Sequence, residues 1–281
     1  PANHPLIVHV ASAQEVTRFA ASVPDFAQRL MDAFWPGPLT LILPRRPEVA
    51  AAAAGGQNSV GVRCPSHPVA HAVLHAAQAL GVYGVAAPSA NLFGRVSPTT
   101  AAHVAGEFGD ALLVIDGGAC EVGIESTIVD CTRGAPVLLR PGVLTPEQLS
   151  HACGVAVVTP SQPQADAPRA SGTLDSHYAP QATVRLMTAE QMQAALDQAP
   201  QAHERVALWS RKPVAVPAAW SQQVVCQPMP TDARRCAHDL FAQLRAFDAQ
   251  GVTQIWVETP ASTAEWEGVR DRLSRAATPA R

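Results

Sequence analysis

A series of short runs rich in Val, Ile and Leu, each bounded by Gly, Pro or Asn or by a helix signal, leaves the first half of this chain few folds to adopt. The runs are PLIVHV (5–10), LTLIL, SVGVRC, VYGVAA, ALLVID, STIVD and PVLLR. Each has strand length, and all are far shorter than the roughly 20 apolar residues that span a bilayer. Helical stretches interrupt them. Ser12 and Glu15 match a capping box ahead of an apolar stripe at Val16, Phe19, Ala20 and Val23, and a second helix runs to about Phe34, where Pro36-Gly37-Pro38 stops it. Further helices are expected over 68–80 and 98–106, with Ser66, Ser97 and Thr145 at N-cap positions and Pro68, Pro98 and Pro146 in first turns. The alternation predicts a mixed α/β sheet domain over 1–150.

Residues 159–182 are rich in Pro, Ser, Ala and Gln and have no apolar period, and 151–182 is assigned as the interdomain linker. Beyond it TVRLM, RVALWS, VVCQPM and QIWVETP alternate with helical stretches near 188–199, 232–250 and 263–277, which gives a smaller α/β domain over 183–281. With 281 residues, each domain has length enough to bury its own core.

Charge and cysteine usage remove several functions. The chain carries 20 basic and 23 acidic residues for a net charge of -3, and Lys212 is its single lysine, so no GxxxxGK[ST] phosphate loop exists. The six cysteines form no CxxC pair, which leaves zinc knuckles and redox motifs unsupported. No charged segment followed by an apolar core opens the chain, and a cytoplasmic location is expected. Pro1 is not an initiator residue, and a missing N-terminal piece is expected.

Several residues have side chains suited to chemistry. A strand running into Pro88-Ser89-Ala90-Asn91, then Gly94 and Ser97 at a helix start, is either an anion-binding turn or an ordinary capped loop. Gly117-Gly118 and Gly123 bracket a loop ending in Glu125-Ser126-Thr127, which reads as a ligand loop or a hairpin turn. Arg63 and Arg140 each end a strand, where a guanidinium fork either takes a carboxylate or makes a surface ion pair. His9 sits in an apolar strand and needs a partner, structural or substrate. His67, His71 and His75 recur every four residues, but His67 precedes Pro68 and no carboxylate or cysteine completes a metal set. His177-Tyr178 is a polar-aromatic pair in the linker, and Arg270, Arg272 and Arg275 form a basic flank that is either a solvated face or an RNA contact.

Taken together, NHPLIVHV, AFWPGPLTLIL, SVGVRCPSHP, AAPSANLFGRVSPT, IDGGACEVGIESTIVD and LLRPG, in this order and spacing, resemble the Sua5/YciO/YrdC family over nearly all of residues 1–150. SHYAP in the linker and the ending DRLSRAA are similar to the two-domain Sua5 branch. The resemblance implies a YrdC-like twisted mixed sheet followed by a smaller Rossmann-like domain. It implies that L-threonine, bicarbonate and ATP, with Mg2+, give L-threonylcarbamoyl-adenylate and pyrophosphate for N6-threonylcarbamoyladenosine at position 37 of tRNA. The partners so implied are these small molecules and, transiently, the tRNA threonylcarbamoyl-transferase complex. No membrane is implied.

By motif, His9, Arg63, the Ala87 backbone and Ser126 would hold threonine. His4, Ser59, Ser89, Ser97, Arg140 and Tyr178 would hold ATP, with His4 standing where the family usually has Asn. No general base is expected to dominate, Arg63 and Ser126 acting by positioning. The family also carries Pro-Thr-x-Thr-Tyr-Gly-Leu and Lys-x-Arg motifs ahead of the residue that is first here, and the activity of the chain without them is open. Two alternatives remain. One is a carbamoyl-adenylate-forming carbamoyltransferase, whose zinc fingers and acylphosphatase domain are not in this sequence. The other is a non-enzymatic double-stranded RNA-binding protein, which the net charge of -3 disfavours.

Overall fold

The computed structural model describes residues 4–160, 167–172, 177–200 and 203–278. In chain order its strands and helices are β1 (Ile7–His9), α1 (Asp25–Phe34), β2 (Leu39–Pro44), β3 (Ser59–Arg63), α2 (Pro68–Ala79), β4 (Val85–Ala87), α3 (Ala101–Phe108), β5 (Thr127–Asp130), β6 (Val137–Arg140) and α4 (Pro146–Cys153). There follow β7 (Thr183–Met187), α5 (Ala189–Leu196), β8 (Val206–Ser210), β9 (Val224–Pro228), α6 (Ala233–Ala249), β10 (Gln254–Glu258) and α7 (Glu267–Ala277). The contacts divide the chain into two compact units that do not follow chain order. The first holds Pro1–Ser89 and Glu125–Thr173, the second Ala90–Ile124 and Leu174–Arg281.

The first unit is built on a mixed six-stranded sheet of order β4-β1-β3-β2-β5-β6. β1 runs parallel to β3 and antiparallel to β4, while β2 runs antiparallel to β3 and parallel to β5. Strand side chains alternate between faces. Val8, Leu41, Leu43, Val60, Val62 and Val129 fall on one face and pack with Leu30 and Met31 of α1 and Leu149 and Cys153 of α4. Burial of these aliphatic side chains, each worth roughly 1.5–3 kcal/mol, is what holds the helices to the sheet. The opposite face carries Ile7, Ile42 and Ile128, which form a separate cluster with Leu139 and with Ala170 from the region expected as linker. That region contributes to the fold in other places as well: α4 extends to Cys153, and Leu138 N donates to Val158 O at 2.8 Å.

Local signals succeed where the side chains have nothing better to bond. Thr145 forms a complete capping box with Gln148 at the start of α4, and Pro68 and Pro146 occupy first-turn positions. Three expectations fail. Ser12 makes no cap bond and the helix after it is a single 3-10 segment, Ala13–Arg18, because Glu15 bonds Arg18 and accepts from Gln78 Nε2 at 2.8 Å instead of reaching back to Ser12. Ser66 is replaced as the residue before α2 by His67, which makes no side-chain cap bond. Finally, α3 begins three residues later than the Ser97 signal implies, with Thr100 accepting from His103 N.

The second unit has a wholly parallel four-stranded sheet of order β7-β10-β8-β9. Met187, Met192, Leu196, Val206, Leu208, Trp220 and Trp256 form one core cluster. Trp220 Nε1 donates to Leu196 O at 2.9 Å, so the indole meets both its apolar and its polar needs. α6 buries Cys236, Leu240, Phe241, Leu244 and Phe247 along one stripe. Segment 90–124 belongs to this unit: Arg245 of α6 pairs with Glu107 of α3 and donates to the carbonyls of Val96 and Ser97. The ALLVID run, expected as a strand, is none; Leu112, Leu113 and Ile115 are exposed.

Candidate functional site

The sheet face opposite α1 and α4 gathers the candidate side chains of the first unit. Ser59, Gly61 and Arg63 alternate on β3 and therefore share a face. An added Cβ at Gly61 would meet Ile42 Cδ1 at 3.2 Å, Ile7 Cγ1 at 3.6 Å and Thr40 Cγ2 at 3.6 Å, which places all of these on that face. His9 is the register partner of Arg63, and Val85 that of His9. Leu41 pairs with Val62, so one residue on Thr40 lies level with Arg63. Leu39 pairs with Thr127, whose chain neighbour is Ser126. Val85, His9, Arg63 and Thr40 thus form a row across four strands, with Ser126 at its far end.

The row is held from below by the backbone. Arg63 Nε donates to Gly37 O at 3.0 Å and Gly37 N donates to Cys64 O at 2.8 Å, so the Pro36-Gly37-Pro38 turn sets the plane of the guanidinium. Gly37 admits no larger residue, because a Cβ would come within 2.2 Å of Phe34 O. His9 is half-buried, with Nδ1 3.4 Å from Val85 O. Burial and the neighbouring Arg63 charge push its pKa down to about 4, so His9 is a neutral imidazole at pH 7.

Ser126 and Arg140 are both buried. Arg140 donates to Ser126 O through Nε at 3.1 Å and through Nη2 at 2.9 Å, to Ser126 Oγ through Nη2 at 3.2 Å, and to Ser171 O through Nη1 at 2.8 Å. Ser126 Oγ lies 2.7 Å from Thr40 Oγ1. These bonds of Arg140 go to protein oxygens, and its guanidinium fixes the loop that carries Ser126. Ser59 is buried near the start of β3, facing a small cleft lined also by Pro5, Gly61, Ile128 and Ala170. Ser171 Oγ donates to Pro5 O at 2.7 Å, and Arg169 N donates to Gln57 Oε1 at 2.7 Å. This ties residues 169–171 over the cleft. His4 is half-buried and its pKa is lowered, by burial first and by Arg169 among other charges. Ala87 pairs with Ile7, two positions along β1 from His9, and Ser89 is exposed beyond the end of β4.

The remaining candidates lie in the second unit. Ser97 is buried, its carbonyl accepting from Arg245 Nε at 3.3 Å. Tyr178 is 1% exposed: its ring lies 4.2 Å from that of His177 and 5.1 Å from that of Phe241, with the Arg272 guanidinium 5.6 Å from its centroid. The SHYAP segment is thus docked from His177 on, and Ala179 N donates to Gly94 O at 2.9 Å; Ser176 lies outside the described residues. Arg272 is 0% exposed, which overturns both the solvated-face and the RNA-contact readings for this residue of the basic flank. Gly123, with φ of 85°, approaches the α6 backbone, where a Cβ would lie 2.3 Å from His238 O, so that glycine serves packing. Thr40 and Ser171 were not marked by any local signal; their partners stand 86 and 31 residues away in sequence.

Residues 1–142 match the Sua5/YciO/YrdC family model, described as "Telomere recombination", and residues 144–278 match the model for "Threonylcarbamoyl-AMP synthase, C-terminal domain". The chain is 33% identical over 282 residues to the threonylcarbamoyl-AMP synthase of Bacillus subtilis, covering 99% of this chain and 80% of that protein. It is 42% identical over 187 residues to that of Pyrococcus abyssi, over 66% of this chain but only 54% of the relative. The crystal structure of P. abyssi Sua5 complexed with L-threonine superimposes with a TM-score of 0.83 at 32% identity, covering 99% of this chain and 81% of that one. The chain belongs to the Sua5/YciO/YrdC family.

Proposed function

We infer that this protein is an L-threonylcarbamoyladenylate synthase, a nucleotidyltransferase. The observation that carries the reading is the row of neutral His9, Arg63 and Ser126 on the face of the first sheet opposite α1 and α4, in a chain whose relatives are named for that activity. An amino acid zwitterion needs a cation for its carboxylate and neutral polar groups near its amine, and this row has both. Arg63, its plane set by Gly37, pairs with the threonine carboxylate. His9 and the Ala87 backbone bond the rest of the substrate, and Ser126 faces the carbamate end.

The chemistry balances in two steps. The threonine ammonium group first gives a proton to water; the free amine then attacks bicarbonate, an N–C bond forming as a C–O bond breaks, and the departing hydroxide takes a second amine proton to leave as water, giving a carbamate. A carbamate oxygen then attacks the α-phosphorus of ATP in line, and the bond to the β-phosphate oxygen breaks, with the electron pair leaving on pyrophosphate. ATP is proposed to arrive as its Mg2+ complex, which would neutralise charge on the phosphates and on the departing pyrophosphate. A neutral His9 neither repels the cationic amine nor holds a proton that the carbamate would take up. Positioning and charge neutralisation do the remaining work.

His4, Ser59 and Ser89 are proposed as nucleotide contacts. Ser97, Arg140 and Tyr178 are assigned to the nucleotide by the family resemblance alone, and Arg140 is proposed to act mainly by holding Ser126. Among the described residues no helix is long and apolar enough to cross a membrane. The proposed setting is the cytoplasm, where the adenylate passes to a tRNA-modifying transferase. The test is incorporation of labelled bicarbonate into an adenylate: mass spectrometry should find the label in a species containing both threonine and AMP. A product that carries AMP and no label would overturn the assignment.

A further inference from the structure

We propose that Thr40 is a positioning residue for this reaction, making Ser126 a one-way hydrogen-bond donor toward the substrate; the role rests on the synthase reading above. Thr40 is 0% exposed and Ser126 2% exposed, and their hydroxyl oxygens stand 2.7 Å apart. Arg140 has no acceptor atom, so its Nη2 contact with Ser126 Oγ at 3.2 Å must donate into that oxygen. A serine hydroxyl accepts twice and donates once. The 2.7 Å contact admits either hydroxyl as donor; with Arg140 donating into one lone pair of Ser126 Oγ, we assign Thr40 Oγ1 as the donor into the other, which leaves the single Ser126 hydrogen for a ligand. Two donors feeding one hydroxyl also polarise it, so its own outgoing bond strengthens.

The placement suits a negative charge that grows on the substrate. Thr40 lies level with Arg63 on the neighbouring strand, so the Ser126 hydrogen and the Arg63 fork are two donors at one end of the sheet. Arg63 meets the charge threonine already has, and Ser126 meets the charge of the carbamate. Local sequence favours Val as readily as Thr in a buried strand such as LTLIL, where five of the six residues of β2 are buried. Strand propensity alone thus does not account for a hydroxyl here, and its partner is Ser126.

The test compares Thr40→Val, Thr40→Ser, Ser126→Ala and the double variant Thr40→Val/Ser126→Ala in the full-length protein, by pyrophosphate release with threonine, bicarbonate and ATP. Thr40→Val has nearly the shape of threonine and should fold; urea denaturation checks this. The expected result is a fall in kcat of about tenfold for Thr40→Val with less than a threefold change in KM for ATP, recovery in Thr40→Ser, and no added loss in the double variant beyond Ser126→Ala. Wild-type kinetics in Thr40→Val, or losses that multiply in the double variant, would overturn the role while leaving the synthase reading intact. Release by the wild type that ignores threonine would overturn the synthase reading and this role with it.

Discussion

His9 and Arg63 are register partners on adjacent parallel strands, at the end of the sheet where the Pro36-Gly37-Pro38 turn closes over β3. The pairing sets the electrostatics of both residues: the guanidinium beside the imidazole, added to burial, keeps His9 uncharged. A guanidinium is thereby kept next to a neutral donor-acceptor.

The pH dependence follows from that pairing. The folded pKa of His9, about 4, lies below its ordinary value of 6.5, so between those values the unfolded chain binds a proton that the folded chain resists. Stability from this source is fully present above about pH 6.5 and is lost as pH falls through about 4, for a total of about 1–3 kcal/mol. Urea denaturation at pH 7, 5.5 and 4.5 should show a steeper decline for the wild type than for His9→Gln. Equal slopes would mean that His9 takes up its proton as readily in the folded protein as in the unfolded chain.

Arg63 is expected to govern threonine and little else. Arg63→Ala should raise KM for threonine by roughly 10- to 100-fold, the worth of a charge-assisted bond, with KM for ATP within about threefold. Arg63→Lys keeps the charge but loses the fork and the Gly37 bond, and should recover only a minor part. Steady-state kinetics with each substrate varied in turn measures both. A loss shared equally between the two substrates would place Arg63 elsewhere.

Arg140 is expected to act on stability through the oxygens it satisfies. Arg140→Met would remove the guanidinium that donates to Ser126 O and Ser171 O, both within the first unit. The cost should be about 2–4 kcal/mol in chemical denaturation. A change below about 1 kcal/mol would show that water replaces the guanidinium without penalty.

Two glycines separate close approach from backbone strain. Gly123 and Gly134 have φ of 85° and 80°, but an added Cβ at Gly123 would lie 2.3 Å from His238 O, while nothing lies within 4 Å of one at Gly134. Gly134→Ala should cost about 1–2 kcal/mol, the strain of a left-handed residue. Gly123→Ala should at least double the fall in melting temperature. Equal shifts in calorimetry would show that α6 yields to the methyl group.

Much of this fold was legible because local chemistry and tertiary structure agree. The run SVGVRC reads as a strand, and its alternation by itself puts Ser59, Gly61 and Arg63 on one face; Thr145 with Gln148 reads as a capping box and forms one. ALLVID has the same composition as a buried strand, yet Leu113 is 89% exposed, and nothing within six residues distinguishes an apolar run that pairs from one that does not. Ser12 and Glu15 carry the capping pattern, but Arg18 and Gln78 compete for the glutamate. The candidate row was visible only in part. His9, Arg63 and Ser126 stand out by residue type, whereas Thr40 is one hydroxyl in an apolar run whose partner lies 86 residues away, and sheet order is needed to bring the two together.

Pyrophosphate release from ATP by the full-length protein, with threonine and bicarbonate each omitted in turn, tests the central claim most directly. The account predicts release that requires both, with wild-type dependence on threonine collapsing in Arg63→Ala. Release that proceeds without threonine, or none with all three substrates present, would contradict it.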